Sequence, residues 1–185
     1  KKYGDYRSRS QARRSCTMRT LTICLTIVVG LTLSAISQPS IASVKTSQAV
    51  CSFDDGKSIK VEYSTDPPKR GEELRNGRLW EPGGLPMFLF TETPLSLGSS
   101  QIPDGAYSLY VKPEKQNWNL IVNKNVSAGS KYDPKQDLAH ASMETGKLEN
   151  PVKQLQVAFA HVAPKQCSIR LYYQNTWASV EFNER

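Results

Sequence analysis

Residues 102–124 read IPDGAYSLYVKPEKQNWNLIVNK, and two arms within them alternate with the two-residue period of a pleated strand. In the first arm Tyr107, Leu109 and Val111 share a face, against Ala106, Ser108 and Tyr110. In the second, Trp118, Leu120 and Val122 oppose Asn119, Ile121 and Asn123. Pro103, Asp104 and Gly105 supply a turn ahead of the first arm, and the polar run of residues 112–117 joins the two. The stretch therefore reads as a β-hairpin with one apolar face, which the rest of the chain must cover.

The flanking sequence offers more strands. Asp54, Asp55 and Gly56 signal a turn, after which Ile59, Val61 and Tyr63 alternate with Lys60 and Glu62. Residues 65–86, with four prolines and four glycines, cannot sustain a regular ladder and read as a long loop. Within that loop Trp80 is either an anchor held by burial or an aromatic platform for a ligand. Residues 87–92 place Phe88 and Phe90 opposite Met87 and Leu89, a strand covered on both sides, and residues 95–97 add a short continuation. Beyond the hairpin lies a polar loop, residues 125–137, containing Tyr132, Asp133 and Pro134. Residues 138–144 form a weak strand pattern, and in residues 152–162 Leu155, Val157 and Phe159 alternate again. Ile169, Leu171 and Tyr173 form the next inner face, Asn175 and Thr176 turn the chain, and Ala178, Val180 and Phe182 close it. The pattern predicts an all-β fold, an antiparallel sandwich or flattened barrel of about seven to eight short strands.

At 185 residues the chain holds one core-bearing domain. Its formal charge of +7 raises the question of a nucleic-acid partner, so the location of the charge matters. Residues 1–42 carry seven of the 24 basic residues and one of the 17 acidic ones, which leaves the remainder close to neutral. A neutral body gives a phosphate backbone little to hold, and nucleic-acid binding is not expected. The front is a targeting segment. Residues 21–33 (LTICLTIVVGLTL) are too short for an ordinary membrane span and suit the apolar core of a signal peptide, with Ser40, Ile41 and Ala42 as its cleavage pattern. The expected organisation is an over-extended start or basic n-region at 1–17, a signal peptide at 18–42, a linker at 43–50 and one domain at 51–185. The product would be secreted or periplasmic, meeting the membrane only during export; the alternative is an uncleaved N-terminal anchor. Cys16 and Cys24 leave with the leader, and the remaining pair, Cys51 and Cys167, suggests one disulfide in an oxidising compartment.

Chemistry is harder to find. His140 and His161 belong to no metal-ligand spacing, and neither a P-loop nor a G-x-S-x-G elbow occurs. No catalytic residue, metal site or cofactor is predicted. Among the carboxylates, Asp133 and Asp137 in the polar loop are the pair to inspect. Together with Trp80 and Tyr132 they form the candidate ligand-binding set.

From Cys51 onward the chain resembles an uncharacterised family of exported bacterial proteins, domain of unknown function 2911. Pro103, Gly105, Tyr107 and Leu109 fall on its P-x-G-x-Y-x-L pattern, followed by Pro113, and Trp118, Ile121, Asn123 and Lys124 fall on W-x-x-I-x-N-K. Tyr132, Asp133 and Asp137 match Y-D-x-x-x-D, and Thr176, Ala178, Ser179 and Val180 match T-x-A-S-V. Cys51, ahead of Asp55, Gly56 and Lys57, and Cys167 resemble the cysteines of one branch. The family's W-R-x-G-A-N-E-A-T segment is altered: Trp80 and Gly83 stand, while Glu81, Leu85 and Pro86 occupy the Arg, Asn and Glu places. A ligand held by that segment in the family would be lost or changed here. The resemblance supplies no reaction. The expected function is a non-enzymatic binding or structural module of the cell envelope, with an envelope protein or a carbohydrate as partner. The alternative is a carbohydrate-active or other hydrolase using the loop carboxylates.

Overall fold

The computed structural model describes residues 44–67, 74–81, 84–115, 117–127, 129 and 131–185. The expected leader at 18–42 and the residues before it lie outside the described residues. Among the described residues there is no α-helix, and none long and apolar enough to cross a membrane.

Nine strands form one open antiparallel sheet. β1 (Thr46–Ser52) and β2 (Ser58–Ser64) make a hairpin around Gly56, whose φ of 89° only glycine adopts freely. β1 begins inside the segment read as a linker: Ala49 and Cys51 are buried on its inner side, so pairing with β2 orders a stretch whose composition looks flexible. β3 (Met87–Thr91) follows, then the short β4 (Leu95–Leu97) and β5 (Ser100–Ile102). The predicted hairpin is β6 (Gly105–Pro113) with β7 (Trp118–Asn123), in the register Leu109 opposite Val122 and Val111 opposite Leu120. Two long strands complete the set, β8 (Asp137–Ala163) and β9 (Gln166–Glu184). The spatial order is β1-β2-β3-β6-β7-β8-β9-β4-β5.

The sheet doubles over through β8. Its first part, Asp137 to Met143, pairs with β7, and from Glu144 to Ala163 it pairs with β9. Apolar side chains from both halves meet in one core, including Ile59, Leu89, Leu109, Leu120, Val157, Ile169 and Phe182. Trp118, Leu120 and Val122 point into this core as the alternation requires. Gly105, at φ 143°, lets the chain enter β6 beneath the ring of Tyr107, whose hydroxyl donates to the Pro103 carbonyl at 2.9 Å. The P-x-G-x-Y pattern is thus a local brace for the hairpin.

Two sequence expectations change. The candidate strands at 138–144 and 152–162 are one strand, because the polar stretch between them keeps its pairing through register shifts after Lys147 and Val152. Pro151 sits within that irregularity, where a missing N–H is tolerated. Likewise Asn175 and Thr176 do not reverse the chain: β9 runs on continuously through Gln174, which takes a φ of 52° while still paired with Val152. The described residues form nine strands, two of them long, in the all-β antiparallel fold that the pattern predicts.

The cysteines pair as expected. Cys51 in β1 and Cys167 in β9 form a disulfide with a Cα–Cα distance of 6.3 Å, and both are buried. The Asp54 amide donates to the Pro164 carbonyl at 3.0 Å beside it, so one end of the fold is closed by a covalent and a hydrogen bond together.

Candidate functional site

The outward face of β6, β7 and β8 carries Tyr110, Ile121 and His140, and the polar loop folds across it. Asn123, fully buried at the end of β7, holds that loop. Its Nδ2 donates to the Asp133 carbonyl at 2.8 Å and to Asp137 Oδ1 at 2.7 Å, and its Oδ1 accepts from the Asn125 amide at 2.9 Å. Asp133 caps the short 3-10 turn Pro134–Gln136, accepting from the Lys135 amide at 3.0 Å.

Asp137 is the hub. Tyr132 donates its hydroxyl to Asp137 Oδ2 at 2.5 Å, and His140 Nε2 lies 3.0 Å from the same oxygen. In an even strand, residues three apart point to opposite faces. Here the register shifts between Val122 and Asn123, and the extra residue in β8 turns Asp137 and His140 to the same side. The carboxylate side chain is 9% exposed and has three polar partners, which offset the cost of burying its charge. His140 keeps 57% of its side chain exposed.

Tyr132 stands against Tyr110 edge-on, with ring centroids 4.9 Å apart at 64°. Held at both its ring and its hydroxyl, it forms a wall shared by two clefts. One, of about 440 Å³, is lined by Lys112, Asn119, Ile121 and His140 among others; the second, of about 270 Å³, lies toward Glu81, Leu85 and Pro86. Of the four residues singled out from sequence, Tyr132, Asp133 and Asp137 are brought together, whereas Trp80 is not. Trp80 lies on the inner side of the sheet, 3% exposed, against Trp118 and Tyr173. Sequence reading set aside His140, since nothing in a sequence marks the bulge that joins it to Asp137. Among the described residues no group of three or more His, Cys, Asp or Glu is placed to hold a metal ion.

Burial first, and then the hydrogen bond and negative charge of Asp137, push the Tyr132 phenol well above the ordinary tyrosine range. Burial also raises Tyr107 and Tyr110. A proton held more tightly in the fold than in the open chain contributes stability that is fully present below about pH 10, the free tyrosine value, and is lost as pH climbs through the folded value. Tyrosinate absorbance should therefore show a late phase that coincides with alkaline unfolding. Tyr132→Phe should shrink that phase and flatten the alkaline loss of stability. Ionisation of all three phenols near pH 10 with the fold intact would contradict this.

A family model described as a protein of unknown function (DUF2911) matches residues 45–182. No curated protein and no solved structure matches the chain.

Proposed function

Because the chain belongs to the DUF2911 family of proteins of unknown function, whose membership carries no reaction, we propose from its geometry an exported, non-enzymatic binding module of the cell envelope. The observation that supports this is how the loop carboxylates are used. Asp133 is turned into its own capping bond, and Asp137 is enclosed by Tyr132, Asn123 and His140. Acid–base work on a glycoside or ester needs a carboxyl free to meet the substrate and exchange a proton there. These two instead hold a loop rigid over a sheet, which suits a preformed binding surface. The disulfide fits an oxidising compartment, secreted or periplasmic.

The competing hydrolase makes a different prediction. Nitrophenyl glycosides and esters incubated with the wild type should show no turnover above that of the Asp133→Asn, Asp137→Asn double variant. Turnover that disappears in the double variant would establish the hydrolase instead. Expressed with its own leader in an exporting host, the mature protein should begin close to Ser43. An intact N-terminus in the membrane fraction would favour the anchored form.

A further inference from the structure

On the half of the sheet formed by β8 and β9, away from Tyr132, an aromatic side chain packs closely against strand backbone. Gly146 in β8 is paired directly opposite Trp177 in β9, and the two share the outward face. A Cβ placed on Gly146 would come within 2.5 Å of indole atoms Cε2 and Nε1. Glycine inside a strand has a packing cost, and here its missing side chain is the seat of the indole. The Nε1–Cε2–Cζ2 edge of the indole is thereby seated against the β8 backbone.

The rest of the indole contributes to an open cleft of about 340 Å³, whose other lining residues are Glu144, Arg170, Tyr172 and Ser179. Along a straight strand Arg170 and Ser179 would stand on the order of 30 Å apart. The positive φ of Gln174 and the extra residues that β8 carries opposite it break the straight ribbon, and both side chains line one cleft. Arg170 and Glu144 are exposed, and neither makes a side-chain hydrogen bond or ion pair among the described residues. The cleft thus offers a fixed aromatic face, a second aromatic, a forked donor, a carboxylate acceptor and a hydroxyl.

We infer that this cleft binds a neutral carbohydrate chain, one pyranose ring stacking on Trp177 with its hydroxyls toward Arg170 and Glu144. The charge balance argues for that class. A guanidinium and a carboxylate of opposite sign leave no net field to select an anion or a cation, whereas a neutral polyol uses both as donor and acceptor. A sugar ring also presents the combination the cleft complements, a flat C–H face bordered by hydroxyls. An aromatic cage for a quaternary ammonium would not place a guanidinium beside the ring. The inference rests on the reading of the chain as a binding module and gives that module a ligand class.

Trp80 and Trp118 are buried, and Trp177 is the partly exposed member of the three tryptophans, so indole emission reports on the cleft. The test titrates the full mature protein with hexaoses of β-1,4-glucose, β-1,4-N-acetylglucosamine and α-1,4-glucose, following emission and heat. At least one should give a saturable shift. Trp177→Ala should weaken binding about tenfold or more, and Gly146→Ala should do the same by lifting the indole from its seat. Because either change could loosen the ribbon, Arg170→Ala, at an exposed position, is the second probe and should weaken binding by about tenfold with the melting temperature unchanged. Failure of all three hexaoses at millimolar concentration, or undiminished binding by Trp177→Ala and Arg170→Ala, overturns the inference while leaving the module reading intact. A hexaose that binds and is then cleaved overturns the module reading and leaves the carbohydrate cleft standing.

Discussion

Replacing Cys51 and Cys167 together with alanine should lower the unfolding free energy by about 4–5 kcal/mol, the chain-entropy value for a loop of this length and an upper bound for the entropic part. The bridge closes a sequence separation of 116 residues, nearly the whole folded chain. Its position makes that constraint matter. β1 lies at one edge of the sheet, hydrogen-bonded as a strand only to β2, while β9 lies in the other half. Without the bridge, the first hairpin is held against the second half by side-chain packing, the amide bond from Asp54 to Pro164, and the contacts of Lys57 with Glu184 and of Asp54 with His161. Urea unfolding should show a lower midpoint together with a steeper slope, because the uncrosslinked denatured chain exposes more surface. A change below about 1 kcal/mol would show that the open chain is already compact enough to make the crosslink redundant. Since both cysteines are at most 5% exposed, reductant should attack the native protein at the rate of its opening rather than at the rate for a free disulfide.

How much of this was legible beforehand follows from the kind of signal each part leaves. The β6–β7 hairpin was readable because Tyr107, Leu109, Val111, Trp118, Leu120 and Val122 keep one strand period, whereas the burial of Tyr110, Ile121 and Asn123 on the other face depends on the loop folded across it. β1 leaves no strand signal because its inward residues, Ala49 and Cys51, are small, and apolar Val50 falls on the outward face with Gln48. β8 and β9 read as divided because an in-strand irregularity and a chain reversal use the same residue types: Gln174, Asn175 and Thr176 suit either, as does the polar insertion in β8 opposite them. The site divides in the same way. The Tyr132, Asp133 and Asp137 cluster was visible as a polar loop, but its meeting with Asn123 and His140 depends on strand pairing and a bulge that no local pattern encodes. For Trp177 a signal did exist: an isolated glycine within a strand implies something packed close above it. That signal is masked because residues 145–151, between the two strand patterns, are mostly polar.

Trp80→Ala should cost about 3–5 kcal/mol, and Trp80→Phe markedly less. The indole fills the end of the core between the two halves, its ring centroid 4.7 Å from that of Tyr173 in β9 and 6.0 Å from that of Trp118 in β7. Its backbone amide donates to the Val111 carbonyl at 2.7 Å and that of Gly77 to the Pro113 carbonyl at 2.6 Å, so a loop without a regular ladder is fastened to β6 at two points. Truncation to alanine would remove both ring contacts and leave a void the rigid strands cannot close. Phenylalanine retains a ring for Tyr173 and Trp118. It also removes the indole N–H, which is buried with no hydrogen-bond partner among the described residues, a situation that costs about 1–3 kcal/mol. Part of the lost volume is thus offset. Equal destabilisation by the two variants would mean that this N–H is satisfied in solution and that its bond, rather than the ring, holds the loop. A coupling of Trp80→Ala with Trp118→Ala of at least about 0.5 kcal/mol would locate the effect in their shared contact. The consequence extends to the outer face. Leu79 lines both clefts beside Tyr132 and Glu81 lines one of them, while the residue between them points into the core. Because inward Trp80 fixes its outward neighbours, its loss should raise amide exchange at Leu79 and Glu81 well before β7 is affected.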